Sequence, residues 1–259
     1  NDDRRIVFAI PYEGRFTLIG TTDLAYDGDP GAVAIDEIEI DYLLQAVNRY
    51  FRAPVERGDV VWSYSGVRPL YDDASDNVSA VTRDYVFDVD AADGQPPLLS
   101  IFGGKITTYR RLAEHALEKL APFLGCDRAG WTADAPLPGG DIPGADFDGF
   151  LADLKRDRPW LPAALAERYA RAYGSRTRQL LGEARSLADL GRQLWGDLYE
   201  AELEYLAAQE WAATSEDVLW RRSKLGLHVP DGTAAAIDDW FRQRADGTAR
   251  STAKAYALG

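Results

Sequence analysis

The chain has 259 residues, 46% of them hydrophobic and 27% charged, a globular composition rather than a disordered or membrane-spanning one. Its 29 Lys+Arg face 42 Asp+Glu for a formal net charge of −13, which excludes nucleic acid as the main partner because phosphate backbones need a basic face. One cysteine, Cys126, excludes an intrachain disulfide, and two histidines, His115 and His228, leave little for a histidine-based metal centre.

In chain order, residues 5–10 and 16–19 alternate as strands around Pro11-Tyr12-Glu13-Gly14-Arg15, which predicts a β-hairpin turning at Glu13-Gly14. Gly20-Thr21-Thr22-Asp23 and a loop through Asp27-Gly28-Asp29-Pro30-Gly31 follow. Asp36, with Glu39 three residues on, predicts a variant capping box opening a helix whose apolar stripe is Ile40, Leu43, Leu44, Val47 and Phe51. Val60-Val61-Trp62-Ser63-Tyr64 predicts a strand running into Gly66-Val67-Arg68-Pro69. Two more strands are predicted at 85–89 and 98–102, flanking Asp93-Gly94-Gln95-Pro96, and Gly103-Gly104-Lys105 then opens a helix carrying Leu112, Leu117, Leu120 and Leu124.

The run Pro136-Leu137-Pro138-Gly139-Gly140-Asp141-Ile142-Pro143-Gly144 has the composition of a linker and places a domain boundary within 129–146. Beyond it the periodicity is helical at 160–173, 198–211, 216–227 and 234–244, with no strand signal. The expectation is therefore a strand-rich domain over 1–128 and an all-helical domain over 129–259.

Several motifs are missing. No Gly-x-Gly-x-x-Gly occurs, so the dinucleotide fingerprint is absent. Gly104-Lys105 is followed by Ile106, and Leu99 stands where the leading glycine of a P-loop belongs. No Gly-x-Ser-x-Gly elbow occurs either, which turns the reading away from hydrolases. What remains is a set of cations in turn contexts: Arg68 at the end of a predicted strand, Arg83 at the start of the next, and Lys105 between a glycine pair and a helix. Strand ends and helix N-termini present backbone N–H groups to ligands, and three such cations would make a local anion site in an acidic chain. Each also has a plainer explanation: Arg68 and Arg83 could pair with Asp72, Asp73 or Asp84, and Lys105 could be a solvated first-turn residue.

Taken in order, Arg5-Ile6-Val7-Phe8-Ala9-Ile10-Pro11, Ile19-Gly20-Thr21-Thr22-Asp23, Trp62-Ser63-Tyr64-Ser65-Gly66-Val67-Arg68-Pro69-Leu70, Thr82-Arg83-Asp84-Tyr85 and Ser100-Ile101-Phe102-Gly103-Gly104-Lys105-Ile106-Thr107-Thr108-Tyr109-Arg110 resemble the C-terminal half of the FAD-dependent, aerobic glycerol-3-phosphate dehydrogenases. The resemblance continues through Leu137-Pro138-Gly139-Gly140, Ala172-Tyr173-Gly174-Ser175, Tyr199-Glu200-Ala201-Glu202-Leu203-Glu204-Tyr205 and Leu219-Trp220-Arg221-Arg222, so it covers essentially the whole chain.

That resemblance implies an α+β fold: part of an antiparallel substrate-binding sheet with the last strand and helix of the FAD domain in 1–128, then the all-helical C-terminal domain in 129–259. The family's glycine fingerprint lies near its N-terminus, and this chain has no methionine and opens on Asn1-Asp2-Asp3. The expectation is a piece of a longer protein, with FAD bound mostly by the absent half. By position, Arg68 and Arg83 resemble arginines facing the substrate phosphate, and Lys105 resembles the lysine beside flavin and substrate, the catalytic candidate. Gly103, Gly104, Lys105, Ile106 and Thr107 would face the flavin, with Thr22, and beside it Thr21 and Asp23, lining the same cavity.

The implied reaction oxidises sn-glycerol 3-phosphate to dihydroxyacetone phosphate by hydride transfer to FAD, with electrons passed to quinone. A cytoplasmic protein peripheral to the inner face of the membrane follows from that acceptor, and a homodimer is a further expectation. No base is identified: His115 reads as a structural helix residue, and the base is expected in the absent half. The alternatives are a glycerol-3-phosphate oxidase using oxygen and a helical domain that serves as an interaction or dimerisation module.

Overall fold

A computed structural model describes residues 3, 5–68, 84–92, 94–126 and 128–256, with side chains as far as residue 245. The chain divides into two compact units, Asn1–Ala135 and Pro136–Gly259.

In the first unit, β1 (Phe8–Tyr12) pairs antiparallel with β2 (Phe16–Gly20), Phe8 opposite Gly20 and Tyr12 opposite Phe16. The turn falls at the expected place, with Glu13 and Gly14 both left-handed at φ 46° and 69°. The loop then leads to α1 (Glu37–Asn48), whose capping box is complete: Asp36 Oδ1 accepts the Glu39 N–H at 2.8 Å, and Glu39 Oε2 accepts the Asp36 N–H at 3.2 Å. Leu43, Ala46 and Val47 bury the inner face. A second antiparallel pair, β3 (Tyr85–Asp90) and β4 (Leu98–Gly103), sets Tyr85 opposite Gly103 and Asp90 opposite Leu98. A 3₁₀ turn (Ile106–Thr108) opens α2 (Tyr109–Leu124), which packs on β3 and β4 and ends at the left-handed Gly125.

The strand expected at 60–64 is corrected. Residues 60–68 follow a 3₁₀ turn at Arg57–Asp59 and form no ladder. Alternating Val, Trp and Tyr favours an extended backbone, whereas a strand also needs a neighbour to share hydrogen bonds. Trp62 and Tyr64, two apart, stack at 5.0 Å. Neither strand pair is sandwiched, so Phe8, Ile10, Leu98, Ile101 and Phe102 stay exposed, as two-stranded sheets cannot cover their own faces.

The second unit is built from α3 (Phe147–Asp157), α4 (Ala163–Tyr173), α5 (Thr177–Leu181), β5 (Gln193–Trp195), β6 (Leu198–Tyr199), α6 (Glu200–Gln209), a π-helical turn (Asp217–Arg222) and α7 (Thr233–Tyr256). Leu165, Ala166, Tyr169, Leu198, Leu203, Val218 and Ile237 are fully buried and form the centre of one core. Three expectations need correction here. The helix α3 was not expected, because Gly149 and three acidic residues interrupt its pattern, yet the Asp146 carboxylate caps it by accepting the Gly149 N–H at 2.9 Å. The unit is not strand-free: β5 and β6 form a small hairpin around left-handed Gly196, too short to show alternation. The 216–227 segment is a π turn followed by a 3₁₀ turn rather than an α-helix.

The proline- and glycine-rich run is also packed rather than free. Gly139 is buried at φ 89°, its carbonyl accepts the Ser175 N–H at 3.0 Å, and the Asp141 carboxylate accepts from the Ser175 hydroxyl. A Cβ on Gly139 would lie 2.5 Å from the Tyr173 carbonyl oxygen, and one on Gly174 would strike the Gly139 carbonyl. Two backbones meet here at a distance only glycine permits.

Candidate functional site

The first group of candidate residues is assembled at the exit of β2. The ladder holds Gly20 opposite Phe8, so the Thr21–Thr22–Asp23 segment leaves from a fixed point. Asp23 Oδ2 accepts from Arg68 Nη1 at 2.8 Å, a contact across 45 residues of sequence. Thr22 is half-buried beside it, while Asp23 and Arg68 keep 41% and 48% of their side-chain surfaces exposed. The anticipated partners of Arg68 were other aspartates, Asp72, Asp73 and Asp84; the carboxylate found beside it is Asp23. Arg83 lies outside the described residues.

A second group lies at the junction of β4 and α2. Gly103 and Gly104 are both left-handed, at φ 68° and 93°. A Cβ on Gly104 would come within 3.2 Å of Tyr85 Cβ and 3.4 Å of Leu112 Cδ1, so the chain turns here close against strand and helix. The Lys105 carbonyl accepts both the Thr108 N–H at 3.0 Å and the Thr108 hydroxyl at 2.8 Å, which tightens the turn. The Lys105, Ile106 and Thr107 side chains face solvent, Ile106 with 89% exposure. The N–H groups of Ile106 and Thr107 begin the turn and have no intrahelical acceptor, so they stand at the positive end of the helix that follows. Exposed donors with a lysine beside them fit an electron-rich, anionic edge of a cofactor such as FAD.

His115 packs against aromatic rings. Its ring meets Phe87 edge-on at 4.9 Å and Tyr85 at 5.9 Å, packed between α2 and β3. Glu114, its neighbour, accepts the Thr132 N–H and hydroxyl, and the hydroxyl bond above all holds its carboxyl below the usual range.

In the second unit, the motif residues around Tyr173 and Glu202 meet in the core. Arg168 grips Glu202 through both Nη atoms at 2.7 Å, and the Tyr173 hydroxyl donates to Oε1 at 2.5 Å. Burial pushes the Tyr173 and Tyr169 phenols well up, so both remain protonated. A carboxylate this saturated with donors and fully buried is a structural tie. No cluster of three or more metal-ligating side chains occurs among the described residues.

The sequence reading missed that Asp23 partners Arg68. The only local signal was its place after Thr21-Thr22, which by itself reads as a turn.

Comparison with known proteins places these groups in context. Residues 1–110 match the family described as FAD dependent oxidoreductase, and residues 131–251 match the C-terminal domain of alpha-glycerophosphate oxidase. The chain is 50% identical over 241 residues to the aerobic glycerol-3-phosphate dehydrogenase of Escherichia coli (strain K12), covering 93% of this chain and 48% of that protein. It is 54% identical over 242 residues to the glycerol-3-phosphate dehydrogenase of Pseudomonas aeruginosa, with coverage of 93% and 47%. It is 53% identical over 244 residues to the D-erythritol 1-phosphate dehydrogenase of Brucella abortus (strain 2308), again with coverage of 93% and 48%. The chain thus spans about half the length of the curated relatives it matches.

Proposed function

We propose, from the match of residues 1–110 to the FAD dependent oxidoreductase family and of residues 131–251 to the C-terminal domain of alpha-glycerophosphate oxidase, that the chain is the C-terminal half of a flavoprotein oxidising sn-glycerol 3-phosphate to dihydroxyacetone phosphate. The observation that carries this reading is the contact of Arg68 with Asp23, next to Thr22, within the segment matched to the FAD family.

Arg68 binds the phosphate. Its guanidinium is permanently charged and, with one Nη bound to Asp23, still offers N–H donors from Nε and Nη2 to phosphate oxygens. Arg83 supplies a second guanidinium to the same anion. Lys105 orients the substrate near the cofactor and stabilises negative charge developing there. The backbone N–H groups from Gly104 to Thr107 hold the cofactor edge, with Gly103 shaping the approach and Thr22 closing the cavity. When bound, FAD would supply the acceptor for the substrate C2 hydride and the route for its electrons to a quinone. The base that takes the hydroxyl proton belongs to the other half of the protein, because His115 is engaged between aromatic rings.

The exposed apolar strand faces, Phe8, Ile10, Ile101 and Phe102 among them, are covered by that other half. Quinone reduction brings the whole protein to the membrane surface from the cytoplasmic side; among the described residues, no helix is long and apolar enough to cross a membrane. The helical domain provides a homodimer contact.

A second reading is favoured by one relative: the Brucella abortus protein is named for D-erythritol 1-phosphate, also a polyol phosphate ester. Steady-state assays of the full-length, flavin-loaded protein with both esters separate the two readings. The ester with the higher kcat/KM is the substrate, and we expect it to be sn-glycerol 3-phosphate. Hydrogen peroxide as the stoichiometric product would instead identify an oxidase.

A further inference from the structure

We infer that Asp23 is a positioning residue that holds the Arg68 guanidinium ready for the substrate phosphate, an inference that rests on the phosphate role of Arg68 proposed above. The two side chains are joined at 2.8 Å, yet both are more than two-fifths exposed. A solvent-exposed ion pair contributes little to fold stability, so stability alone does not explain the contact. Its geometry does. Asp23 lies three residues beyond Gly20, which the β1–β2 ladder fixes, whereas the described residues leading up to Arg68, 60–68, form no ladder.

An arginine side chain has several rotatable bonds, and ordering it when a ligand arrives costs rotamer entropy. Asp23 orders it beforehand. Among the described residues Asp23 engages one Nη, which leaves the other N–H donors of the fork aimed in a fixed direction. The carboxylate also offsets part of the local positive charge. A site so tuned favours one phosphoryl group on a small alcohol over a polyphosphate, whose extra charge Asp23 repels.

The test uses the full-length, flavin-loaded protein and three variants: Asp23→Asn, Asp23→Glu and Arg68→Ala. KM and kcat for sn-glycerol 3-phosphate are measured together with the inhibition constant of inorganic phosphate and the melting temperature. Asp23→Asn is expected to raise KM and the phosphate inhibition constant in parallel by about five- to tenfold, with kcat within twofold and an unchanged melting temperature. Asp23→Glu restores most of the loss. Unchanged or lowered KM and inhibition constant in Asp23→Asn, with Arg68→Ala still raising both, would overturn the role of Asp23 and leave that of Arg68 standing. No effect of Arg68→Ala on either constant would overturn the phosphate reading itself.

Discussion

The hydroxyl of Tyr173 on α4 donates to Glu202 on α6 at 2.5 Å while Arg168 grips both oxygens of the same carboxylate, so one buried acid ties two helices of the second unit. Because Glu202 is fully buried, removing it leaves the largely buried Arg168 guanidinium without its carboxylate, with the Asp197 carbonyl as a neutral partner. Glu202→Ala is expected to destabilise the second unit by about 3–5 kcal/mol. Tyr173→Phe removes only one neutral donor and is expected to cost about 1–3 kcal/mol. Urea titrations of the two variants check the order, and equal midpoints for both variants and the parent would contradict it.

Close backbone packing supports a second prediction. Gly139→Ala adds strain at φ 89° and a clash with the Tyr173 carbonyl, for an expected loss of more than about 2 kcal/mol. Gly196 is also left-handed, but a Cβ there meets nothing within 4 Å, so Gly196→Ala is expected to cost only about 1 kcal/mol. Melting temperatures of the two variants should separate accordingly; a Gly139→Ala protein as stable as the parent would refute the packing argument.

Asp217 carries a pH prediction. Its carboxylate accepts the backbone N–H groups of Ala213 and Thr214, the Thr214 hydroxyl and Arg221, and the Ala213 bond above all lowers its pKa from 3.8 to about 2. The folded pKa lies below the unfolded one, so the stabilisation is complete above about pH 4 and is lost as pH falls through 2. Thermal melts of the parent and Asp217→Asn should differ at pH 7 and converge near pH 2. A gap independent of pH would show that ionisation of Asp217 does not matter.

How much of this was legible in the sequence depended on range. The Asp36/Glu39 capping box and the Glu13-Gly14 turn were readable because their bonds close within three or four residues. The resemblance located Arg68 and Lys105 but could not say what stands beside them. The Arg68–Asp23 contact spans 45 residues, and no local pattern encodes it. Residues 60–64 misled because β-branched and aromatic residues specify extension, while pairing depends on a neighbour elsewhere in the chain. The Pro136–Gly144 run misled differently: glycine marks both flexible linkers and tight backbone contacts, and at Gly139 and Gly174 it marks the latter.

Cofactor binding provides a further prediction. On the proposed reading the backbone donors from Gly104 to Thr107 would make only one edge of a flavin site, so the 259-residue chain alone is expected to purify without stoichiometric flavin. Absorbance between 350 and 500 nm, on the order of one flavin per chain, would contradict the division of the site between two halves.

The most direct measurement is anaerobic mixing of the full-length, flavin-loaded protein with sn-glycerol 3-phosphate while its visible absorbance is followed. The account predicts saturable bleaching, with dihydroxyacetone phosphate formed in equal amount, and a half-saturating concentration raised at least tenfold by Arg68→Ala. A flavin that stays oxidised with this ester, or bleaching that Arg68→Ala leaves unchanged, would contradict it.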